Sequence, residues 1–396
     1  MRYQREGLTD SIIQSLGAII IVIGGVSALW EKLYEISPYL PIWLIWFLIF
    51  YGLSIAHRFR TVRHYLTLLI LVVIVGFLML GHQIHNGILL RSHERAIERF
   101  EQELRSNRWI TYEPTTMNPY QNFYGTIDDI KTELHTLSKA SFSGIITFSS
   151  EGTLAQIPKE ADNLQIPGMI MGVINPTDKE ELALAIKAKE YVDAYCIGHM
   201  FTDYRDYSKH DILKAIKKIR RETNLPVTTT LRTNGYLAYP EITREIDWFF
   251  PDIHGNWYEE NLDSTQVFEQ SKELIDEVGA LQKRYPNKPI LLKMISFPSS
   301  DIEESTVAQQ YTFFKSIVEY VESSVKFPER VYASYFSAFD ISWKTQDRGW
   351  PVGEQFVGFF DQSGSPKQFK NADGQVIDVY QALNWSRTTT SVDNNN

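Results

Sequence analysis

The chain has 396 residues, too many for one small domain and enough for one or two large ones. Its 44% hydrophobic and 22% charged residues exclude global disorder, and a formal net charge of -9 argues against nucleic-acid binding through the overall field. The single cysteine rules out an intramolecular disulfide; no His/Cys spacing indicates a metal site, and nothing calls for a cofactor.

Three apolar runs come first: Ser11–Trp30, Leu40–Ala56 and Tyr65–Gly81. Each spans 17 to 20 residues and contains no Asp, Glu, Lys or Arg. That is the length a helix needs to cross ~30 Å of hydrocarbon, so residues 1–87 read as a three-helix transmembrane anchor. For run one, a secretory signal peptide with Val26-Ser27-Ala28 as its cleavage site is the alternative. Arg58, Arg60 and Arg63 crowd the second link, whereas the first carries Lys32 against Glu31 and Glu35. With Arg2 and Arg5, this bias places the N-terminus in the cytoplasm. Three crossings of an inner or plasma membrane then deliver the rest to the periplasm or cell exterior. Cleavage of run one leaves that placement unchanged.

Residues 88–107 read as a juxtamembrane helical stalk. Leu90, Ile97 and Leu104 recur every seven residues and offer one narrow face to a partner or to the domain. A solvated connector helix fits the same residues. Residues 109–396 hold 28 Lys/Arg and 40 Asp/Glu, a net of -12, which gives this part no reason to hug anionic lipid. The polar tail 387–396 is expected to fray.

Between 108 and 380, short apolar runs alternate with amphipathic stretches. The predicted strands are Trp109–Tyr112, Gly144–Phe148, Met169–Val173, Ala194–Ile197, Val227–Leu231, Trp248–Ile253, Ile290–Ile295 and Val331–Phe336. Helical patterns cover Thr126–Ala140, Asp178–Tyr191, Ser208–Thr223, Ser264–Tyr285 and Ile302–Val325. Continuously apolar strands suit a parallel sheet buried on both faces, and eight such units match a (β/α)8 TIM barrel. A doubly wound open sheet is the alternative, but no Gly-rich phosphate loop follows the first strand. In a barrel, chemistry sits at the C-terminal strand ends.

Those ends carry a family resemblance. Ile110-Thr-Tyr112-Glu-Pro114, Gly172-Val173, Asp178–Tyr191, Asp247-Trp-Phe-Phe-Pro-Asp-Ile-His254 and Lys288–Ser300 resemble successive motifs of glycoside hydrolase family 17. Tyr335–Lys344, Glu354–Asp361 and Pro366-Lys367 resemble its closing motifs, so the likeness runs in order over 109–370. It implies a barrel of the β-1,3-glucanase and glucanosyltransferase type, with glucan or another polysaccharide as ligand. The resemblance also implies an acid at the position of Met200, preceded by Asn at His199, and a nucleophile at Met294. The second-strand arginine maps onto Ile146. Retaining hydrolysis needs two carboxyl groups ~5–5.5 Å apart, and a thioether can neither donate a proton nor form a glycosyl ester. Both positions are therefore degenerate, and no catalytic residue is assigned.

If activity survives, Asp203 and Glu259 are the fallback acid and base; Asp206, Asp252 and Glu260 are also near strand ends. Asp340 and Glu354 read as structural. The substrate-binding candidates are Tyr112, His199, His254, Trp257, Tyr258, Phe297, Tyr335 and Trp343. Aromatic rings offer large apolar faces with a polar handle in Tyr and Trp, which suits sugars. Three functions follow from these features. One is a membrane-anchored inactive glycosidase-like protein that binds or guides a glucan, or scaffolds a membrane polysaccharide synthase. The others are an active hydrolase or transglycosylase with displaced carboxylates, and a pure protein–protein platform.

Overall fold

The alternation of strands and helices closes into a ring. A computed structural model describes residues 76, 90–199, 207–253, 264–300, 306–323, 330–346, 352–370 and 373–378. The three apolar runs, except Gly76, and the polar tail lie outside the described residues. Among the described residues no helix is long and apolar enough to cross a membrane.

Eight parallel strands pair in the order β6-β5-β4-β3-β2-β1-β8-β7. They are β1 (Trp109–Thr111), β2 (Gly144–Ile146), β3 (Gly168–Val173), β4 (Ala194–His199), β5 (Val227–Leu231), β6 (Phe250–Pro251), β7 (Ile290–Ile295) and β8 (Val331–Tyr335). Parallel bridges Phe249↔Ile290 and Asp252↔Lys293 join β6 to β7 and complete the barrel. This is the TIM-barrel architecture expected from the strand pattern, and it sets aside the open sheet.

Side-chain alternation divides the core in two. Outward residues such as Ile110, Ile145, Met169, Tyr195, Val227, Phe249 and Leu292 pack with the surrounding helices. Inward residues Trp109, Ile146, Ile170, Ala194, Cys196, Trp248, Phe250 and Leu291 fill the barrel. The Trp109 indole needs room across β2 and β3. A Cβ on Gly144 or Gly168 would fall 2.5 or 2.8 Å from its ring atoms.

The helices begin where the sequence supplies caps. Thr126 and Ser208 form capping boxes with Asp129 and Asp211, opening Ile127–Lys139 and Lys209–Thr223. Asp178 caps Lys179–Lys187 through two backbone N–H groups. Three short helices were not anticipated: Ile157–Asn163, Thr233–Ala238 and Pro240–Glu245. At six or seven residues each, they are too short to show a period of 3.6. The long helices Ser264–Arg284 and Val307–Ser323 complete the outer layer. An antiparallel pair, β9 (Gln368–Lys370) and β10 (Val376–Asp378), lies beyond the barrel sheet.

The helix over residues 90–106 is docked on the barrel. Its buried stripe is Ala96, Phe100 and Leu104, a four-residue repeat, while Leu90 is 61% exposed. The seven-residue stripe of the sequence thus shares only Leu104 with the packed face. Phe100 and Leu104 join the interior cluster, where the Phe100 ring sits 5.0 Å from Trp248 and 6.4 Å from Trp109. Polar contacts flank this plug. Arg330 donates to both carboxylate oxygens of Glu101, through Nε at 2.7 Å and through Nη2. His93 Nε2 lies 3.1 Å from Asp247 Oδ1, and its Nδ1 lies 3.2 Å from the Asn224 carbonyl. Asn224 Nδ2 in turn donates to Ser92 Oγ at 2.8 Å.

Candidate functional site

The C-terminal mouth is built by the loops that leave β1, β2, β6, β7 and β8. Its floor is aromatic. Phe148, just after β2, meets Phe336, just after β8, edge to face at 6.0 Å. A buried ammonium sits against each ring. Lys293 of β7, wholly buried, places Nζ 5.0 Å from the Phe148 centroid and 5.8 Å from that of Phe250. Lys344, 1% exposed, places Nζ 4.3 Å from the Phe336 centroid. All three distances fall within cation–π range. Lys344 also pairs with Glu113 at 3.1 Å, tying the loop after β8 to the loop after β1. Trp343 lies beside Lys344 and meets Tyr120 edge to face at 6.2 Å. Asp252, buried on the β6 side, is the backbone partner of Lys293. Burial raises the thiol pKa of Cys196 below this floor, while the charge of Lys293 acts in the opposite sense.

Two strand ends matter for hydrolysis. β4 ends on Ala194–His199 and β7 on Ile290–Ile295, and each is irregular there, with register shifts against its neighbour. Gly198 has φ +72, which re-aims the end of β4. Neither strand end carries a carboxylate in its sequence: one reads Gly198-His199-Met200, the other Lys293-Met294-Ile295.

The structure sorts the aromatic candidates by the direction in which they point. Tyr112 is 1% exposed, and its hydroxyl donates to Glu133 Oε2 at 2.7 Å, so it faces the helix Ile127–Lys139. Burial and the adjacent carboxylate push its phenol well above the usual range, and burial also raises Glu133 despite its hydrogen bonds. Phe297 packs against Phe313 at 5.7 Å. Tyr335 packs among Phe142, Phe314 and Phe359. These three rings belong to the barrel–helix layer rather than to a sugar groove, because they are buried in the cluster that packs with the surrounding helices. Trp343, beside Lys344 and Tyr120, borders the mouth. The backbone of His199 ends β4 and that of Met294 lies in β7, as placed from the sequence. Met200, Asp203, His254, Trp257, Tyr258 and Glu259 lie outside the described residues.

Asp340 is a tether. Its Oδ1 accepts from Lys367 Nζ at 2.7 Å and from the Gly358 amide at 3.0 Å. Burial pushes its carboxyl up to about 6 despite the ammonium beside it. Lys367 Nζ also donates to Ser299 Oγ and to the Phe356 carbonyl, so one ion pair joins the loops after β7 and β8. Glu181 plays a similar part between β2 and β3. It accepts from Ser149 Oγ and from the amides of Ser150, Ile174 and Asn175, and burial raises its pKa. A separate cleft of about 590 Å³ opens beside the helix 90–106 at the opposite end of the barrel, lined by Arg99, Phe100, Tyr191 and Asp193 among others.

Sequence patterning did not single out Lys293, Phe148, Phe336 or the Glu113–Lys344 pair as a unit. Lys293 carried one available signal: it is a charged residue at an inward position of an otherwise apolar strand.

No protein-family model matches the chain, and no curated protein matches it either. Solved structures do. An endo-laminarinase from a Formosa strain aligns with a TM-score of 0.50 at 16% identity, covering 65% of this chain and 83% of that one. A β-1,3-glucanase and pollen allergen of Cryptomeria japonica aligns at 0.48 and 14% identity, covering 66% and 97%. A β-glucuronidase of Ruminococcus gnavus aligns at 0.48 and 14%, covering 66% and 48%. The chain therefore has a glycosidase-like (β/α)8 barrel fold.

Proposed function

We propose that this chain is a membrane-anchored, catalytically silent relative of family 17 glycoside hydrolases that binds or guides a glucan, or scaffolds a membrane polysaccharide synthase. The observation that carries the proposal is the chemistry of two strand ends. Where a retaining glycosidase needs two carboxyl groups ~5–5.5 Å apart, β4 and β7 offer Gly198-His199-Met200 and Lys293-Met294-Ile295. Loss of general-acid help alone costs ~10²–10⁴ in rate. Beneath the mouth, buried Lys293 and Lys344 pack against Phe148 and Phe336, and on the loop after β1 the exposed rings of Tyr120 and Phe123 suit contact with sugar faces. Three uncharged runs of 17 to 20 residues support an anchor with more helices than tethering requires, which favours a partner within the membrane.

The test is an assay of the detergent-solubilised full chain with β-1,3- and β-1,4-gluco-oligosaccharides, with products followed by mass. We expect binding without hydrolysis or transglycosylation. Turnover that disappears in Asp203→Asn or Glu259→Gln would establish an active enzyme with displaced carboxylates instead. Purification in mild detergent is expected to bring down a membrane glycosyltransferase. A lone monomer with no affinity for any glycan sinks both roles.

A further inference from the structure

The loop between β1 and the helix Ile127–Lys139 carries two aromatic rings into solvent: Tyr120 is 53% exposed and Phe123 42%. Both lie at the C-terminal face of the barrel, because the loop leaves the C-terminal end of β1. Exposed apolar rings that cluster beside a concave mouth mark binding surfaces more often than isolated ones do.

The loop is held rigidly. Asn118 and Phe123 exchange backbone hydrogen bonds at 2.7 and 3.1 Å, closing a tight reversal around the short helix Pro119–Gln121. The Asn118 side chain accepts from the Tyr120 amide at 3.1 Å. Thr153 Oγ1 donates to the carbonyls of Tyr124 and Gly125 at 2.8 and 3.0 Å, fastening the far end of the loop to the segment after β2. A ring fixed in this way loses little conformational freedom when a ligand covers it.

The placement of Tyr120 supplies the chemistry. Its ring meets Trp343 edge to face at 6.2 Å, and the next residue, Lys344, is bound to Glu113 at 3.1 Å. The buried Glu113–Lys344 pair therefore ties together the loops that carry an exposed aromatic ledge, and such a ledge suits a ligand with flat apolar faces. β-Linked glucopyranose fits that description. Every hydroxyl of its chair is equatorial, so both ring faces present only C–H bonds, whichever way successive units turn along the chain. An axial hydroxyl, as at carbon 2 of mannose, spoils one face.

We propose that Tyr120, backed by Trp343 and flanked by Phe123, is a stacking subsite for a gluco-configured β-glucan chain running over the β1–β8 side of the mouth. This rests on the proposed glycan-binding role and names the wall that the chain follows.

The test is titration of the full-length, detergent-solubilised protein with laminaripentaose, cellopentaose and mannopentaose. Wild type is expected to bind the two glucans and to bind the mannan more weakly. Tyr120→Ala is expected to weaken glucan binding roughly tenfold, the size of one stacking contact. Tyr120→Phe keeps the ring and is expected to bind nearly as wild type. Phe123→Ala gives a second, smaller loss. Tyr191→Ala, in the cleft at the opposite end of the barrel, serves as the unaffected control. Wild-type binding that survives unchanged in Tyr120→Ala and Phe123→Ala overturns the ledge and leaves the glycan-binding role standing. Equal affinity for mannopentaose overturns the gluco-configured class. A wild type that binds none of the three overturns the glycan-binding role and the ledge with it.

Discussion

The two ends of the barrel are finished in opposite ways. At the N-terminal end, the helix 90–106 inserts Phe100 between Trp109 and Trp248, and its polar partners lie around that apolar plug. At the C-terminal end, the charges move inside. Lys293 and Lys344 sit in the floor against Phe148 and Phe336, and exposed rings stand on the rim. A sealed end that hides its rings is built for stability, whereas the other end buries two ammonium groups and exposes Tyr120 and Phe123, the rings assigned to a glycan in the proposal above.

The comparison breaks most directly at the plug. Phe100→Ala leaves a cavity between two indoles and should cost about 3–5 kcal/mol, read as a lowered midpoint in denaturant. A loss below about 1 kcal/mol would show that the helix rests on the surface instead of sealing it.

At the mouth, Lys344→Met strands the largely buried Glu113 carboxylate and should cost about 3 kcal/mol. The double variant with Glu113→Gln should recover much of that loss. If the two changes simply add, the pair does not act as a unit.

The smallest effect concerns protons at the sealed end. Burial alone would lower the His93 pKa, but its hydrogen bond to Asp247, the charge of that carboxylate and the Asn224 carbonyl outweigh it. Arg220 opposes them, and the net shift is upward from 6.5. Both ring nitrogens face acceptors, so the imidazolium satisfies both. A raised folded-state pKa means that the His93 contribution is complete below about 6.5 and is lost as pH rises through the higher folded value. Asp247 is shifted the other way. Burial would raise it, but His93 and Arg220 hold it below 3.8, so its contribution persists at neutral pH and is lost only as pH falls through that lowered value. Hydrogen exchange across 90–106 should therefore speed up on the alkaline side of 6.5 in wild type, beyond the intrinsic rate, and not in His93→Gln. Identical profiles for the two proteins would remove His93 from the docking contact.

Much of the barrel was legible. Val227–Leu231 and Ile290–Ile295 occupy the predicted ranges because buried parallel strands read as predominantly apolar or β-branched runs, broken here only by Lys293. The helix over Ser208–Thr223 was legible from its amphipathic pattern, and the structure adds the capping box of Ser208 with Asp211 that fixes where it starts. The direction of side chains at strand ends was not legible. Tyr112 and Tyr335 read as groove residues, yet one face of a short strand looks like the other in sequence, and the outer helices claimed both rings. The packed face of 90–106 was obscured because its key side chain, Phe100, stands among charged neighbours and makes sense only beside Trp248, far along the chain. Phe148 and Phe336 met across the ring for the same reason.

The Glu101–Arg330 pair also sets a clock. Its partners lie 229 positions apart, and the His93–Asp247 contact spans 154. At ~5–20 residues per second, a ribosome needs on the order of 10–50 s to supply Arg330 after Glu101 has emerged. For roughly the first two thirds of that interval Phe100 has only the Trp109 side of its indole wall, because Trp248 is still to come. The helix that precedes β1 is therefore among the last elements to be secured, and in the nascent chain its apolar stripe stays uncovered until the later strands of the barrel arrive.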